Sequence, residues 1–533
     1  MISLAGLVLP IAGTLLVYAL FHALQILYHE VTSPLRHMAG PRNPSFLFGN
    51  FRQMAKDPRL ADKWRAEFGA NFRFRSLFSV SELHTSDLKA LNYILTNGTM
   101  YQVSSVALAV RKNLFGTSLL SVETDDHKRL NAAFGVPQIR LLTETFVEKA
   151  VHLRDIWAQQ VAEDGGTSTI DVSIWLRRMT LDAIGQAGFN YDFEALQKDA
   201  PPNELSEAFT ALVHTPRSQR NAGFRIAREM VPILRLLPLP GMAPVWNART
   251  QMERIGSKIV AKSKAEIKAA HGELKAFGGK RDLLSILLKA NMAPDVPESY
   301  RLNDAEVLGQ IPTFFFAGHE TTSTAVSWAL HALSINIPAQ TKLREELFTI
   351  ATENPTMEEL NSLPYLENVV RELLRVHSPI VSAQRQAMQD DVVPLSKPYV
   401  DSHGKEHDSL VIPKGQIIHI PILAVNTDKE IWGPDAAEFK PERWDNIPAA
   451  ASAIPGVWAN LLTFLAGPRN CIGFRFSLVE TKALLFVLLR TLEFENVEKI
   501  RPSASILQFP TVVDKPEQGS SLPMLVKIHH AEA

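Results

Sequence analysis

Cys471 is the only cysteine in 533 residues, and no other feature restricts the fold so sharply. A single thiol cannot close an intramolecular disulfide, nor can it build a cysteine-rich zinc site. The chain must be held by its core, in keeping with a reducing compartment. The cysteine is then either an inert buried residue or a group that works alone. It sits in "FLAGPRNCIG", residues 464–473. Glycines at 467 and 473 allow backbone angles closed to other residues. An apolar-periodic segment follows at once, so this loop runs into a helix whose first N–H groups are unpaired and point at the sulfur. Such donors stabilise a thiolate. Arg469 lies two residues upstream, ready to neutralise a nearby acid.

The rest of the composition sets wide bounds. Hydrophobic residues make up 46% of the chain, enough for a large core. Lys plus Arg (55) nearly balances Asp plus Glu (56), which argues against nucleic acid as a partner. The N-terminus differs in kind. Ile2 to Phe21 carries no charge, and twenty helical residues reach about 30 Å, the thickness of a bilayer core. A cleaved signal would show a basic leader and a shorter apolar stretch, so an uncleaved anchor is expected over residues 1–28. Arg36 and Arg42 follow the span with no base before it, placing the body on the cytosolic side. Pro34, Pro41 and Pro44 stiffen a hinge over 29–50, and residues 51–533 form the body.

Helical periodicity dominates that body. "DAEVLGQIPTFFFAGHETTSTAVSWALHALSI", from 304, is one long apolar-periodic segment, opened by Asn303 and Asp304. "MEELNSLPYLENVVRELLRVH" predicts two helices with a short break at Pro364, and the segment after Cys471 another. Strand signals are short, near residues 71, 391 and 416. The fold class is therefore mostly α with small β-sheets. "DAPPNE" (199–204) breaks the helical pattern. "VPILRLLPLPGMAPVW" (231–246) reads equally as a buried loop or as a lip resting in a membrane interface.

A thiolate on such a loop, shielded from water beside a cation, suits axial ligation of haem iron. Phe464, Gly467, Arg469, Cys471 and Gly473 resemble the haem-binding signature of the cytochromes P-450 at every specified position. A chance match in this length is on the order of 10⁻⁴, so the bystander reading gives way. Other segments agree in the family's order. "AGHETT" (317–322) resembles the oxygen-activation motif of the long central helix. Pro312 and Gly318 distort that helix, and a groove at Ala317 and Gly318 would admit a flat ligand or dioxygen. Glu320 and Thr321 supply an acid and a hydroxyl for proton relay. "HETTS" lacks the second histidine of a zinc protease. "ELLR" sets Glu372 and Arg375 three apart on one helical face. The resemblance adds Arg443 of "FKPERW" to a buried structural triad, with Trp444 where many members have phenylalanine.

The resemblance, of fungal microsomal type, implies a P-450 fold behind one transmembrane helix. It implies haem b (iron protoporphyrin IX) on Cys471, with Arg469 and Arg385 binding its carboxylates. His127 stands where an early helix adds a further group, but the segment after it is about four residues short. The arginine expected one turn later is missing, and Arg129 or Lys128 would substitute. The implied reaction inserts one atom of O2 into a lipophilic small molecule such as a terpenoid, fatty acid or polyketide, in secondary metabolism. Electrons would come from NADPH through a separate membrane-bound reductase, with Lys440 and Arg475 near its docking face, at the endoplasmic reticulum membrane. Segments near 103–114, 207–245, 314–316, 380–382 and 509–512 would line the substrate pocket. Two rivals are a reductase-free peroxide-rearranging member, against which the Glu320–Thr321 pair argues, and a non-enzymatic haem-binding paralogue.

Overall fold

The computed structural model describes residues 4–530 except 55, 58, 124–133, 198–203, 205–206, 208–215, 232–233, 236–241, 270–281, 286–287, 289–303 and 504–506. Residues 199–203 of "DAPPNE", His127, Lys128, Arg129 and much of the 231–246 stretch thus lie outside the described residues. The chain forms two compact units, one of residues 1–102 with 384–421, the other of 103–383 with 422–533.

The smaller unit begins with α1 (Leu4–Thr32). Among the described residues no helix is long and apolar enough to cross a membrane, and the side chains of residues 4–12, 15, 16 and 19 are outside that set. After α2 (Leu60–Phe68) come β1 (Asn71–Arg75), β2 (Ser81–Thr85), α3 (Leu88–Thr96) and β3 (Tyr101–Gln102). The larger unit takes over with α4 (Ser105–Phe115), α5 (Val136–Glu163), β4 (Thr167–Asp171) and α6 (Val172–Phe189). It continues through α7 (Pro216–Met230), α8 (Met242–Ala269), α9 (Asp304–Phe315), α10 (Thr321–Ile335), α11 (Ile337–Leu347) and α12 (Pro364–Val376). The chain then returns to the smaller unit as β5 (Ala383–Ala387), β6 (Asp391–Val400), β7 (Glu406–Ile412) and β8 (Ile417–Ile420). Helix α13 (Phe474–Thr491), β9 (Leu492–Asn496), β10 (Ile500–Pro502), β11 (Pro510–Val512) and β12 (Pro523–Ile528) complete the larger unit.

In the smaller unit the strand order is β1-β2-β8-β5-β3. The β1–β2 pair is antiparallel and β2–β8 parallel, which places His84 opposite His419. Trp64, Phe72 and Phe74 build a small aromatic core behind it.

In the larger unit α10 is the axis. Ala325, Val326, Ala329, Leu330 and Leu333 are each no more than 1% exposed, so the helix is buried on nearly every side, as an all-round apolar helix must be. Helix α13 is apolar in the same way and packs on α5, where the rings of Phe146 and Phe476 meet at 4.7 Å. Helix α6 starts at Asp171, whose carboxylate accepts from the N–H groups of Ser173 and Ile174, and ends at Asn190 in the left-handed region (φ 47°). These caps fix the helix that flanks the central axis.

Candidate active site

The cysteine loop is tightly folded before α13. Leu465 has φ +56° and Gly467 φ +69°, so Gly467 occupies the left-handed region that the sequence pattern requires of it. Gly473 does not. Its φ is −88°, open to any residue, and a Cβ there would meet only the ring of Phe134 at 3.8 Å. Its contribution is its N–H, which hydrogen-bonds the Cys471 sulfur. The Cys471 N–H closes the loop by donating to the Phe464 carbonyl at 2.9 Å. The Phe464 ring packs between Trp458 and Phe474, at 5.8 and 6.0 Å.

Access and depth differ at Cys471. The residue is exposed to a water-sized probe, yet protein surrounds it at longer range. A residue bordering an internal space has this character. Depth governs its acid–base behaviour: burial pushes the thiol up to about 11, and the Gly473 N–H only partly opposes that. The helix-start donor acts as the sequence suggests, but desolvation outweighs it. The protein alone therefore keeps the thiol protonated. A bound metal cation would deprotonate it outright.

The central helix passes the same interior. Between α9 and α10 the backbone widens into a π-turn, Phe316–Glu320, four residues after Pro312. Ala317 is exposed here within an otherwise buried helix, and Thr321, one turn on, donates to the Ala317 carbonyl at 2.7 Å. These two residues form the groove. Gly318 faces away: a Cβ there would come within 2.9 Å of Ile184 Cγ1 and Cδ1 on α6. Its small size serves helix packing, not a ligand. Thr180, one turn before Ile184, donates to the His319 carbonyl at 3.1 Å. Glu320 is 1% exposed, lies 3.1 Å from His319 Nε2, and faces the buried Arg177 guanidinium, whose pKa its charge helps to hold up against burial. Thus Thr321 faces the groove and Glu320 faces α6, as their 100° separation dictates. Phe314 and Phe315 are core residues packed on Phe134, Phe189 and Phe193, and only Phe316 is half-buried.

Beneath the loop, Glu372 accepts five hydrogen bonds. Arg375 donates two of 2.8 Å in a fork, Trp444 Nε1 one of 3.1 Å, the Lys440 N–H one of 2.9 Å and Arg443 one of 3.3 Å. Arg375 also donates to the carbonyls of Asn426, Ala436 and Glu438. Arg443 reaches Trp432, Asp435 Oδ1 and the Asp435 carbonyl. This buried charge set is fully satisfied, the condition under which it does not cost stability. Asn426 links it upward, accepting from the Leu462 N–H at 2.9 Å and donating to Thr463 Oγ1 at 2.9 Å. The triad is thereby wired to the short 3-10 turn Leu462–Phe464 that enters the cysteine loop. Trp444 is more than an aromatic exchange, because phenylalanine has no donor for Glu372.

A profile of the cytochrome P450 family matches residues 40–519. The chain is a cytochrome P450 monooxygenase. It is 44% identical to cytochrome P450 monooxygenase 205 of Postia placenta, over 99% of both chains. Cytochrome P450 monooxygenase claP of Ampulloclitocybe clavipes is 34% identical over 93% of both. Ganoderic acid synthetase of Ganoderma lucidum is 33% identical over 94% of this chain and 96% of its own.

Members of this family carry haem, and the interior of this P450 fits it. Arg469 and Arg111, the latter on α4, lie together in the larger unit; burial draws the pKa of both down, and the Arg469 charge adds to the effect on Arg111. Each grips the same turn, Arg469 through the Leu119 carbonyl and Arg111 through that of Leu120. Among the described residues one acid, Glu123, balances them: its Oε1 accepts from Arg469 at 3.1 Å and from the Val103 N–H at 3.1 Å. Its Oε2 is buried with no hydrogen-bond partner among the described residues. Among the described residues two guanidiniums face one carboxylate in a buried place, an arrangement suited to a carboxylate-bearing group. Arg111 was missed by motif reasoning, since it lies in no signature and shows only once α4 is placed against the loop. Arg385 sits on β5 of the smaller unit, 4% exposed, donating to the Gln384 carbonyl at 2.9 Å. His127 lies outside the described residues.

Proposed function

We propose that this P450 is a membrane-anchored enzyme that binds haem b through the Cys471 sulfur and oxidises a lipophilic small molecule of the terpenoid, fatty-acid or polyketide kind. When bound, haem supplies activation of O2, and thiolate ligation favours cleavage of the O–O bond. Arg469, Arg385 and Arg111 would pair with its carboxylates, Arg111 filling the part that the shortened segment after His127 vacates. Phe464, Gly467 and Gly473 shape the loop, and the Gly473 N–H moderates charge on the sulfur. Thr321 Oγ1 would hold water in the groove at Ala317. Glu320, tied to His319 and facing Arg177, would pass protons toward that groove. Electrons would come from NADPH through a membrane-bound P-450 reductase, at the endoplasmic reticulum with the body cytosolic. The uncharged stretch Ile2–Phe21 supports the anchor.

The observation that carries this reading is the solitary sulfur at the border of an interior space, too deeply set to ionise alone. The test is the spectrum of the reduced, CO-bound protein. Thiolate ligation places its main band far to the red of a histidine-ligated haem, and Cys471→Ser should abolish that band. A band that persists in the variant overturns the assignment.

A further inference from the structure

The chain that follows α1 is pinned to the smaller unit at several points. Leu35 and Met38 are buried. The His37 carbonyl accepts from the Ser402 N–H at 2.8 Å, and the Ala39 carbonyl from the Arg73 N–H at 3.0 Å. A Cβ on Gly40 would lie 1.8 Å from the Arg73 carbonyl oxygen, so the backbone is pressed onto β1 there. Asn50 exchanges two bonds with Arg75: its N–H donates to the Arg75 carbonyl at 2.7 Å, and its Oδ1 accepts from the Arg75 N–H at 3.0 Å. The helix itself is tied to the same strand. Glu30, two residues before α1 ends, pairs with Arg73 at 3.5 Å and with Arg75, and all three side chains are no more than 20% exposed. Burial and Arg75 draw the Arg73 pKa down, and the Glu30 charge opposes them. Arg36 Nη1 caps the helix by donating to the Val31 carbonyl at 3.0 Å. A partly buried network of this kind holds where a lone surface pair would not.

Beside these pins the smaller unit leaves apolar surface uncovered. Leu24, Leu27, Tyr28 and Val31 are exposed and spaced as one face of α1, apart from Glu30. Phe46 is 71% exposed, the most exposed large hydrophobic side chain among the described residues, and Leu47 beside it is exposed too. Their turn is fixed, because the Leu47 carbonyl accepts from the Phe78 N–H and the Phe46 carbonyl from Ser79 Oγ, both at 2.8 Å. A Phe–Leu tip on a fixed backbone cannot fold away from water. The charge around it has one sign. From 33 to 56 the sequence holds Arg36, Arg42, Arg52 and Lys56 and no acid. All four cations are exposed, and the Arg52 guanidinium lies 3.4 Å over the ring of Phe48. An apolar tip rimmed by cations matches the boundary between acyl chains and anionic headgroups.

We propose that residues 29–50 are a rigid collar and not a hinge: Glu30 locks α1 to β1, and the smaller unit rests on an anionic bilayer through Phe46 and Leu47. The anchor and the smaller unit then tilt as one body, held to the membrane at two places. This rests on the membrane-anchor reading of residues 1–28, under which lipid covers the apolar face of α1 as far as Val31, but it is tested apart from it.

The test uses the full-length holoenzyme in vesicles of phosphatidylcholine and phosphatidylserine. Cys471 is the only native cysteine, so labels can be placed at will once haem occupies it. A fluorophore on Phe46→Cys should be quenched by brominated phosphatidylcholine and shielded from acrylamide. Leaving out phosphatidylserine should lower its lipid-side to water-side ratio about fivefold or more, the worth of one cation at an anionic surface. Spin labels on Gln25→Cys and Lys89→Cys, both exposed positions, should give one narrow distance distribution that Glu30→Ala and Arg75→Gln each broaden. The proposal is overturned if the Phe46→Cys label answers to acrylamide and not to brominated lipid, or if phosphatidylserine makes no difference. It is equally overturned if the distances are broad with Glu30 intact, or stay narrow in both variants. Flotation of the same vesicles reports separately on the anchor: protein that fails to float refutes that reading, whereas protein that floats with an acrylamide-accessible label refutes only the collar.

Discussion

Replacing Gly318 with alanine separates two accounts of that glycine. If it is kept small to admit a ligand, the substitution damages turnover whatever lies behind it. The structure instead puts its missing Cβ within 2.9 Å of Ile184 Cγ1 and Cδ1. Crowding of this kind costs about 1–3 kcal/mol. Alanine in place of glycine in a helix returns about 1 kcal/mol. Gly318→Ala alone should therefore destabilise by up to about 2 kcal/mol. Ile184→Val is no remedy, because Cγ1 stays. Ile184→Ala removes both offending atoms and leaves only Cβ, at 3.5 Å in ordinary contact. In that background Gly318→Ala should stabilise by about 1 kcal/mol, reversing sign. The coupling between the two sites is then about 1–3 kcal/mol. Urea midpoints of the four proteins, compared at constant slope, measure it. Equal effects of Gly318→Ala in both backgrounds would refute the packing account, as would lost turnover at unchanged stability.

Three further outcomes follow from particular contacts. Trp444→Phe removes a buried donor to Glu372 and should cost about 1.5–3 kcal/mol in urea unfolding, so a cost below about 0.5 kcal/mol would count against the Trp444–Glu372 bond. In haem-free protein the Cys471 thiol stands at about 11, above its ordinary value, so its alkylation by iodoacetamide should climb steadily between pH 7 and 10, whereas a plateau near pH 8 would show the thiolate forming unaided. The buried rings of His84 and His419 meet at Nδ1 to Nδ1, 3.1 Å apart; burial depresses both, His419 to about 4, with His419 and Arg65 adding to the effect on His84. The unfolded chain then takes up these protons first, so stability present above about pH 6.5 should fall as the pH drops toward 4, and a His84→Phe, His419→Leu double variant should show a flatter decline.

What could be read from the sequence, and what could not, divides by distance along the chain. The loop at 464–473 was legible because its geometry is local: a left-handed Gly467 and a helix start must sit at fixed offsets from the sulfur. The helices were legible from apolar period, and the 100° step along a helix already required that Phe314, Phe315 and Phe316 could not share one environment. Period does not say which neighbour a face will meet. Gly318 therefore read as part of a ligand groove, when only Ala317 and Thr321 line it and Gly318 meets α6. Trp444 read as a mild aromatic exchange, since its donor has meaning only once Glu372, 72 positions earlier, is beneath it. Arg111 is harder still. It stands beside Lys112 and Asn113 in α4, where a solvated side chain is the ordinary reading. What distinguishes it is an imbalance among the described residues, two guanidiniums to one carboxylate at Glu123, that exists only once α4 is placed against the cysteine loop. Chemistry carried by one loop can be recognised from spacing; a charge left over by packing has no spacing to recognise.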